Sequence, residues 1–287
     1  MAPPLLRPAL PADLPRLIPF VTETMPGGRS REHYARVLTP QWPSSHPNIG
    51  FLLEDGAEIV GCFVGLYSTR LVGGRLEHVC NLSAWCVKPA YRKHSLDLVK
   101  AILVQPGLSF TSLAATRELQ EFWQRMRLKT LDHGMWIVAP LHRPRGLWPT
   151  RVVVDPQVLE RELDAEERRL LADHAAYGCR GALLQGGDAR CLVIAHRRKW
   201  RRVGYASILY ASDWDFAAAR PLALAWAAWR LFRTPLVGLD QRRLPGRPLL
   251  AWAVPRDTFF LSPSLSAQDL DSLYSEVVLT YAPVPPL

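Results

Sequence analysis

Apolar positions along the chain fall into alternating strand-like and helix-like runs. Residues 48–54 and 59–70 are rich in β-branched, aromatic and aliphatic side chains, and Asp55-Gly56 between them is a hairpin signature. A second turn at Gly73-Gly74 leads into a long predicted strand from about Leu76 to Val87. Strict alternation puts Glu77, Val79, Asn81, Ser83, Trp85 and Val87 on one face, and His78, Cys80, Leu82, Ala84 and Cys86 on the other. Pro89 cannot donate to a ladder and ends the strand. After the basic turn Tyr91-Arg92-Lys93-His94-Ser95 the period changes. Leu96, Val99, Ile102 and Leu103 make one helical stripe with Asp97 and Lys100 off it, and Ser95 is the expected N-cap.

The flanking segments extend the pattern. A strand at Leu5–Leu10 is followed by a helix that starts near Asp13 and runs to about Thr24, then a short helix at His33–Leu38. Downstream come a strand at Leu108–Leu113 and a helix at Arg117–Leu128, where Leu119, Phe122, Trp123 and Met126 keep helical spacing. His133–Pro140 reads as a closing strand. This order predicts a mixed α/β layer domain, with the long strand and the strand at 108–113 as parallel neighbours through a crossover helix.

The second half repeats the order with few shared residues. Residues 142–157 are Pro- and Arg-rich and read as a linker. A helix is expected at Leu159–Ala176, with Asp164-x-x-Glu167 as a second start inside it. Three strands follow at Arg180–Gln185, Arg190–Arg198 and Val203–Ser212, then a helix at Trp214–Phe232. Further strands are expected at Pro235–Asp240, Leu249–Val254 and Thr258–Leu261, and Ser266–Val278 reads as a closing helix. The chain is thus expected to hold two copies of one α/β fold: residues 1–141, a linker at 142–157, and a degenerate copy at 158–287.

Composition narrows the chemistry. The 287 residues carry 35 Lys+Arg against 26 Asp+Glu, a net charge of +9, which favours anionic partners. The five cysteines lie in apolar strand contexts without C-x-x-C spacing, so neither a disulfide framework nor a metal site is indicated. No secretory signal is visible, and the most apolar helix, at 216–232, is too short and too charged to span a bilayer; a cytoplasmic protein is expected. The cluster Arg197-Arg198-Lys199-Trp200-Arg201-Arg202 falls on a hairpin. A solvated basic turn accounts for it, and no nucleic acid is expected as a partner.

Leu6-Arg7-Pro8-Ala9 with Ala12-Asp13-Leu14, and Val87-Lys88-Pro89-Ala90-Tyr91-Arg92, resemble the GNAT superfamily of acyl-CoA-dependent N-acyltransferases over residues 5–140. The resemblance implies tandem GNAT-like domains of α/β class. It also implies transfer of an acyl group, most simply acetyl, from acyl-CoA to an amine of a small-molecule acceptor. The family's Arg/Gln-x-x-Gly-x-Gly/Ala loop maps onto Arg92–Asp97, with Ser95 and Asp97 where the glycines belong. Cys86, Val87, Arg92, Lys93, His94, Ser95 and Leu96 are therefore the implied acyl-CoA-binding residues, and Glu77 and His78 on the long strand the implied bases. Trp123 stands where the family often has a Tyr general acid, and Trp carries no titratable proton. Two further readings follow. The positive charge suits an acyl-carrier protein as an alternative donor, and the missing Tyr and glycines suit a catalytically inactive binding or assembly module. The second copy, with Ser212-Asp213-Trp214-Asp215 at the corresponding turn, is not expected to bind CoA.

Overall fold

The computed structural model describes residues 3–25, 28–139, 150–248 and 250–280. The described chain forms two compact units. Their borders interleave in sequence instead of falling between the two halves. Among the described residues, unit 1 takes those up to Lys129, Phe259–Leu270 and Tyr274–Thr280; unit 2 takes those in Thr130–Thr258 and Asp271–Leu273.

In unit 1 the chain runs β1 (Leu5–Pro8), α1 (Leu14–Thr24), α2 (Arg31–Leu38), β2 (Gly50–Asp55), β3 (Glu58–Val72), β4 (Arg75–Val87), α3 (Ser95–Leu103), β5 (Leu108–Ser112) and α4 (Arg117–Arg125). Strands β1 to β4 pair antiparallel in sequence order, and β5 lies parallel to β4, as the crossover pattern predicts. The Asp55-Gly56 turn forms as expected, with Gly56 at φ +60°. Both faces of the sheet are covered, which is why β3 is an almost unbroken run of buried residues. On one face Leu17, Phe20 and Val21 of α1 and Tyr34 and Leu38 of α2 pack on Cys62, Val64, Ala84 and Cys86. On the other, Leu98, Val99 and Ile102 of α3 and Trp123 of α4 pack on Phe63, Tyr67, Cys80 and Leu82.

The two local expectations for β4 and α3 change. Between Phe63↔Trp85 and Gly65↔Leu82 the register slips, so Ser83 and Ala84 together face Val64. This bulge reverses the alternation. Cys80, Leu82, Trp85 and Val87 join the α3 face, and Ala84 and Cys86 the opposite one. On α3 the buried stripe is Leu98, Val99 and Ile102, and Leu96 is 48% exposed. The helix enters from a 3-10 turn at Pro89–His94 instead of starting fresh at Ser95, and that sets its phase. Helix α4 stops at Arg125 because Arg127 adopts φ +63°, and Leu128 N–H returns to the Trp123 carbonyl at 3.1 Å.

Unit 2 contains β6 (Lys129–Val138), β7 (Arg151–Val153), α5 (Pro156–Glu162), α6 (Ala165–Ala175), β8 (Cys179–Gly186), β9 (Ala189–Trp200), β10 (Val203–Ala211), α7 (Trp214–Ala218), α8 (Pro221–Phe232) and β11 (Val237–Asp240). It also holds most of β12 (Ala251–Leu261). The meander β8-β9-β10 and the parallel β10–β11 pair repeat the plan of β2 to β5. The helix foreseen at Trp214–Phe232 is α7 and α8, the strands foreseen at 249–254 and 258–261 are described as the single β12, and two more expectations shift. The helix foreseen at 159–176 is two helices, since Leu163 is extended and Asp164 restarts the chain in a capping box with Glu167. The closing helix foreseen at 266–278 is a 3-10 turn at Ala267–Asp269 and a short α9 (Glu276–Leu279), separated by an extended Leu270 and by Tyr274 at φ +54°.

Backbone pairing explains the interleaved units. Strand β6, foreseen as the closing strand of the first half, pairs antiparallel with β11. The free edge of β5 is filled by the end of β12, with Ser112 opposite Phe259 and Phe110 opposite Leu261. Residues 142–149 of the expected linker lie outside the described residues, and Arg151–Val153 of it is a strand paired with β8.

Candidate functional site

The site of interest lies where β4 and β5 part. Their parallel ladder runs from His78↔Leu108 to Asn81↔Thr111 and stops there, while β4 continues along β3 to Val87. Asn81, 1% exposed, holds the branch point. Its amide nitrogen donates to the Thr111 carbonyl (3.2 Å) and hydroxyl (3.1 Å), and its amide oxygen accepts from Glu276 N–H at 2.9 Å. Just beyond it lies the β4 bulge, whose extra residue is left out of the ladder.

An aromatic cluster sits beside the branch. Trp123 stacks near Phe63 (6.2 Å between centroids), and Trp85 approaches Phe63 (5.4 Å) and Phe122 (5.1 Å). Trp123 donates its indole N–H to Ser112 Oγ at 3.0 Å and is fully buried. Trp85 Nε1 is buried without a hydrogen-bond partner.

At the end of β4 the turn Pro89–His94 leads into α3. It is fastened to the β2–β3 hairpin: Lys88 pairs with Glu58, and Tyr91 hydroxyl donates to Asp55 at 2.5 Å. Arg92 and Lys93 are exposed, and no carboxylate pairs with either among the described residues. His94 is half-buried and sits 3.3 Å from Asp97, so the acidic residue where a glycine was expected is held by its own neighbour. Ser95 is not the N-cap: it is the first residue of α3, and its N–H goes to the Arg92 carbonyl. Val87 lies at the strand end on the α3 face. Cys86 does not share that face; it is buried under α1 and α2 with its sulfur 3.6 Å from Cys62 Sγ, both thiols free.

The two candidate bases are at the opposite end of β4, about 30 Å along the strand from Val87 at ~3.3 Å per residue. They point apart. Glu77 accepts from Ser264 hydroxyl at 2.8 Å, whereas His78 Nδ1 lies 3.1 Å from Thr69 Oγ1. His78 lines a cavity of about 210 Å³ with His46, Tyr67, Ser68 and Thr69. The His46 ring stacks flat on Tyr67 at 3.7 Å, with Nδ1 3.2 Å from the Asn48 carbonyl. Burial, with His78 nearby, lowers the pKa of His46. Sequence reasoning missed His46 because it sits in a Pro/Ser-rich loop with no periodic signal. Burial also raises the Cys80 and Tyr67 pKa values well above their ordinary range, so neither ionises near neutrality.

The basic hairpin divides by face. Arg197 is exposed, Arg198 is buried, and Arg201 lies over the Trp200 ring at 4.9 Å. Among the described residues no group of three or more His, Cys, Asp and Glu could hold a metal ion, and no helix is long and apolar enough to cross a membrane.

The sequence matches no protein-family model and no curated relative. Fold comparison is informative. The chain is similar to a GCN5-related N-acetyltransferase from Anabaena variabilis ATCC 29413 at TM-score 0.53 and 13% identity, over 89% of this chain and 72% of that one. It is similar to a conserved protein from Enterococcus faecalis V583, described as a probable N-acyltransferase, at TM-score 0.55 and 11% identity, over 90% and 72%. A GCN5-related N-acetyltransferase from Kribbella flavida matches at TM-score 0.50 and 15% identity, over 89% and 70%. The chain therefore has the fold of the GNAT N-acetyltransferases, and the likeness extends through both of its halves.

Proposed function

We propose that unit 1 is an acyl-CoA-dependent acyltransferase that acts on an amine of a small-molecule acceptor. The observation that carries this reading is the parting of β4 from β5 after Asn81–Thr111, in the same unit as a turn bearing two unpaired cations. Arg92 and Lys93, with the start of α3, would receive the diphosphate. The pantetheine arm would lie along Val87 and Trp85, where the unpaired indole N–H of Trp85 suits an amide carbonyl. Both features fit the ligand; Asp97, a like charge at the start of α3, lies 3.3 Å from His94 Nδ1.

The unpaired residue of the bulge would offer a backbone N–H to the thioester oxygen. The acceptor nitrogen attacks the thioester carbon, a C–N bond forms, the C–S bond breaks, and the amine loses a proton. His78, in its cavity with His46, is the residue proposed to take that proton, through water, from an acceptor that spans the ~10 Å from His78 to Asn81. Glu77, which faces away and is held by Ser264, is not assigned a role. A thiol ionises near pH 8.5, so the leaving thiolate does not need an enzymic acid at neutral pH. Trp123 in place of a Tyr is compatible with that. The same assay reads the acyl-chain length, and an acyl-carrier-protein thioester added as donor reads whether that protein substitutes for CoA.

The experiment is release of free thiol from acetyl-, butyryl- and decanoyl-CoA against a panel of amines, polyamines and aminosugars. Turnover that falls at least 100-fold in His78→Ala, with acyl-CoA binding unchanged, is expected. A second reading, a GNAT-fold binding module, is favoured by one observation: Trp123, where the resemblance implies a Tyr general acid, is fixed to Ser112. Tight acyl-CoA binding with no thiol release from any donor would select it.

A further inference from the structure

Unit 2 carries a cavity unrelated to the branch of β4 and β5. It has a volume of about 460 Å³, inside the range typical of small-molecule sites, and lies among α5, α6, β8 and α8. Its walls are apolar: Leu159 and Leu163 from the α5 segment, Leu171 from α6 and Leu231 from α8. Gly181 brings β8 so close to Leu171 that a Cβ there would meet its Cδ2 at 2.9 Å, so the cavity floor is leucine against bare backbone.

The charged residues that line it are three arginines and one glutamate. Arg168 is committed: it donates to the Glu160 and Leu163 carbonyls at 2.9 and 2.8 Å and lies 3.7 Å from the Glu160 carboxylate, offsetting that charge. Neither Arg180 nor Arg230 has a carboxylate against it among the described residues. Arg180 uses one nitrogen to reach the Leu231 carbonyl at 2.6 Å and lies over the Phe232 ring, and among the described residues no carboxylate pairs with it or with Arg230. An apolar pocket edged by two exposed guanidiniums that no carboxylate offsets is complementary to a chain with one anionic end. The outer face of α8 adds a second, independent feature. Leu222, Trp226 and Trp229 fall on one stripe and are 43%, 51% and 41% exposed, an apolar surface on the helix that also carries Arg230.

We infer that unit 2 binds a medium-chain fatty carboxylate, its tail among Leu159, Leu163, Leu171 and Leu231 and its carboxylate on Arg180 and Arg230. This gives the second copy of the fold a ligand of its own, distinct from the diphosphate-bearing donor proposed for unit 1.

The test is calorimetric titration of the full chain with decanoate, below its micelle concentration, and with decanol as the neutral analogue. One decanoate per chain is expected, with decanol at least tenfold weaker. Arg180→Ala/Arg230→Ala should reduce the decanoate affinity tenfold or more and leave decanol unchanged. Ala172→Phe, which fills the cavity from α6, should abolish both, with circular dichroism and melting temperature confirming that the variants fold. Acetyl-CoA should not displace decanoate. No saturable binding at millimolar decanoate, equal affinity for decanol, or binding that survives Ala172→Phe would each overturn the proposal.

Discussion

The indole N–H of Trp123 donates to Ser112 Oγ at 3.0 Å, so the side chain at the expected general-acid position is bonded to the end of β5. It cannot release a proton, and its hydrogen bond is structural. Trp123→Phe keeps the stack on Phe63 and Trp85 and loses one buried hydrogen bond, so a stability loss of about 1–2 kcal/mol is expected in urea unfolding. Acyl transfer should change by less than about threefold. A hundredfold fall in turnover with acyl-CoA binding intact would show that Trp123 does more than hold the branch.

The Arg-Pro-Ala and Asp-Leu signals of the N-terminus converge on one ionic network. Arg7 bridges Asp13 (2.7 and 2.8 Å) and Glu54 (2.6 and 2.8 Å), and Arg16 joins both carboxylates. The hydrogen bonds from Arg7 hold Asp13 well below the usual carboxylate range and lower Glu54 as well. Both folded pKa values lie below their unfolded values, so the network's stabilisation is complete above about pH 4.5 and is lost as the pH falls below it. Arg7→Met leaves two nearly buried carboxylates sharing Arg16 as their remaining cation and should cost roughly 2 kcal/mol at pH 7, and less at pH 3. An equal cost at both pH values would mean that the network acts only through packing.

His196 is 2% exposed and donates from Nε2 to the Tyr177 carbonyl at 3.0 Å, leaving Nδ1 without a partner. Burial, reinforced by Arg198, lowers its pKa to about 4. The unfolded chain takes up this proton first, so stability should fall as the pH drops from about 6.5 towards 4, by on the order of 2–3 kcal/mol. Denaturant midpoints across that range should show the slope, and His196→Gln should flatten it.

Arg127 ends α4 in the left-handed region, where a side chain is strained and glycine is not. Arg127→Gly should raise stability by up to about 1 kcal/mol, read as a higher urea midpoint at constant slope. A lower midpoint would show that the Arg127 side chain makes a contact worth more than the strain.

The element order was legible because it rests on local signals: Asp55-Gly56 and Gly73-Gly74 turns, Pro89 ending β4, and helical spacing in α4. What escaped was non-local. No residue at Ser83 or Ala84 announces a bulge, yet it decides that Trp85 and Val87, and not Cys86, face α3. Nothing near Ser112 shows that its ladder partner is Phe259, so the interleaving of the two units was invisible. At the site, the basic turn and the absent Tyr were readable from the residues themselves. The placing of His78 and His46 on one cavity, and the contact of His94 with Asp97, depend on folding and were not.

The central claim is that an acyl-CoA binds at the Arg92 turn and along Trp85. Isothermal titration of acetyl-CoA into the wild-type chain, Arg92→Ala and Trp85→Phe tests it most directly. Binding of one acetyl-CoA is predicted, weakened about tenfold by Arg92→Ala through the lost charge contact and about threefold to tenfold by Trp85→Phe through one lost hydrogen bond. No heat at millimolar acetyl-CoA, or binding that is indifferent to both substitutions, would contradict the account.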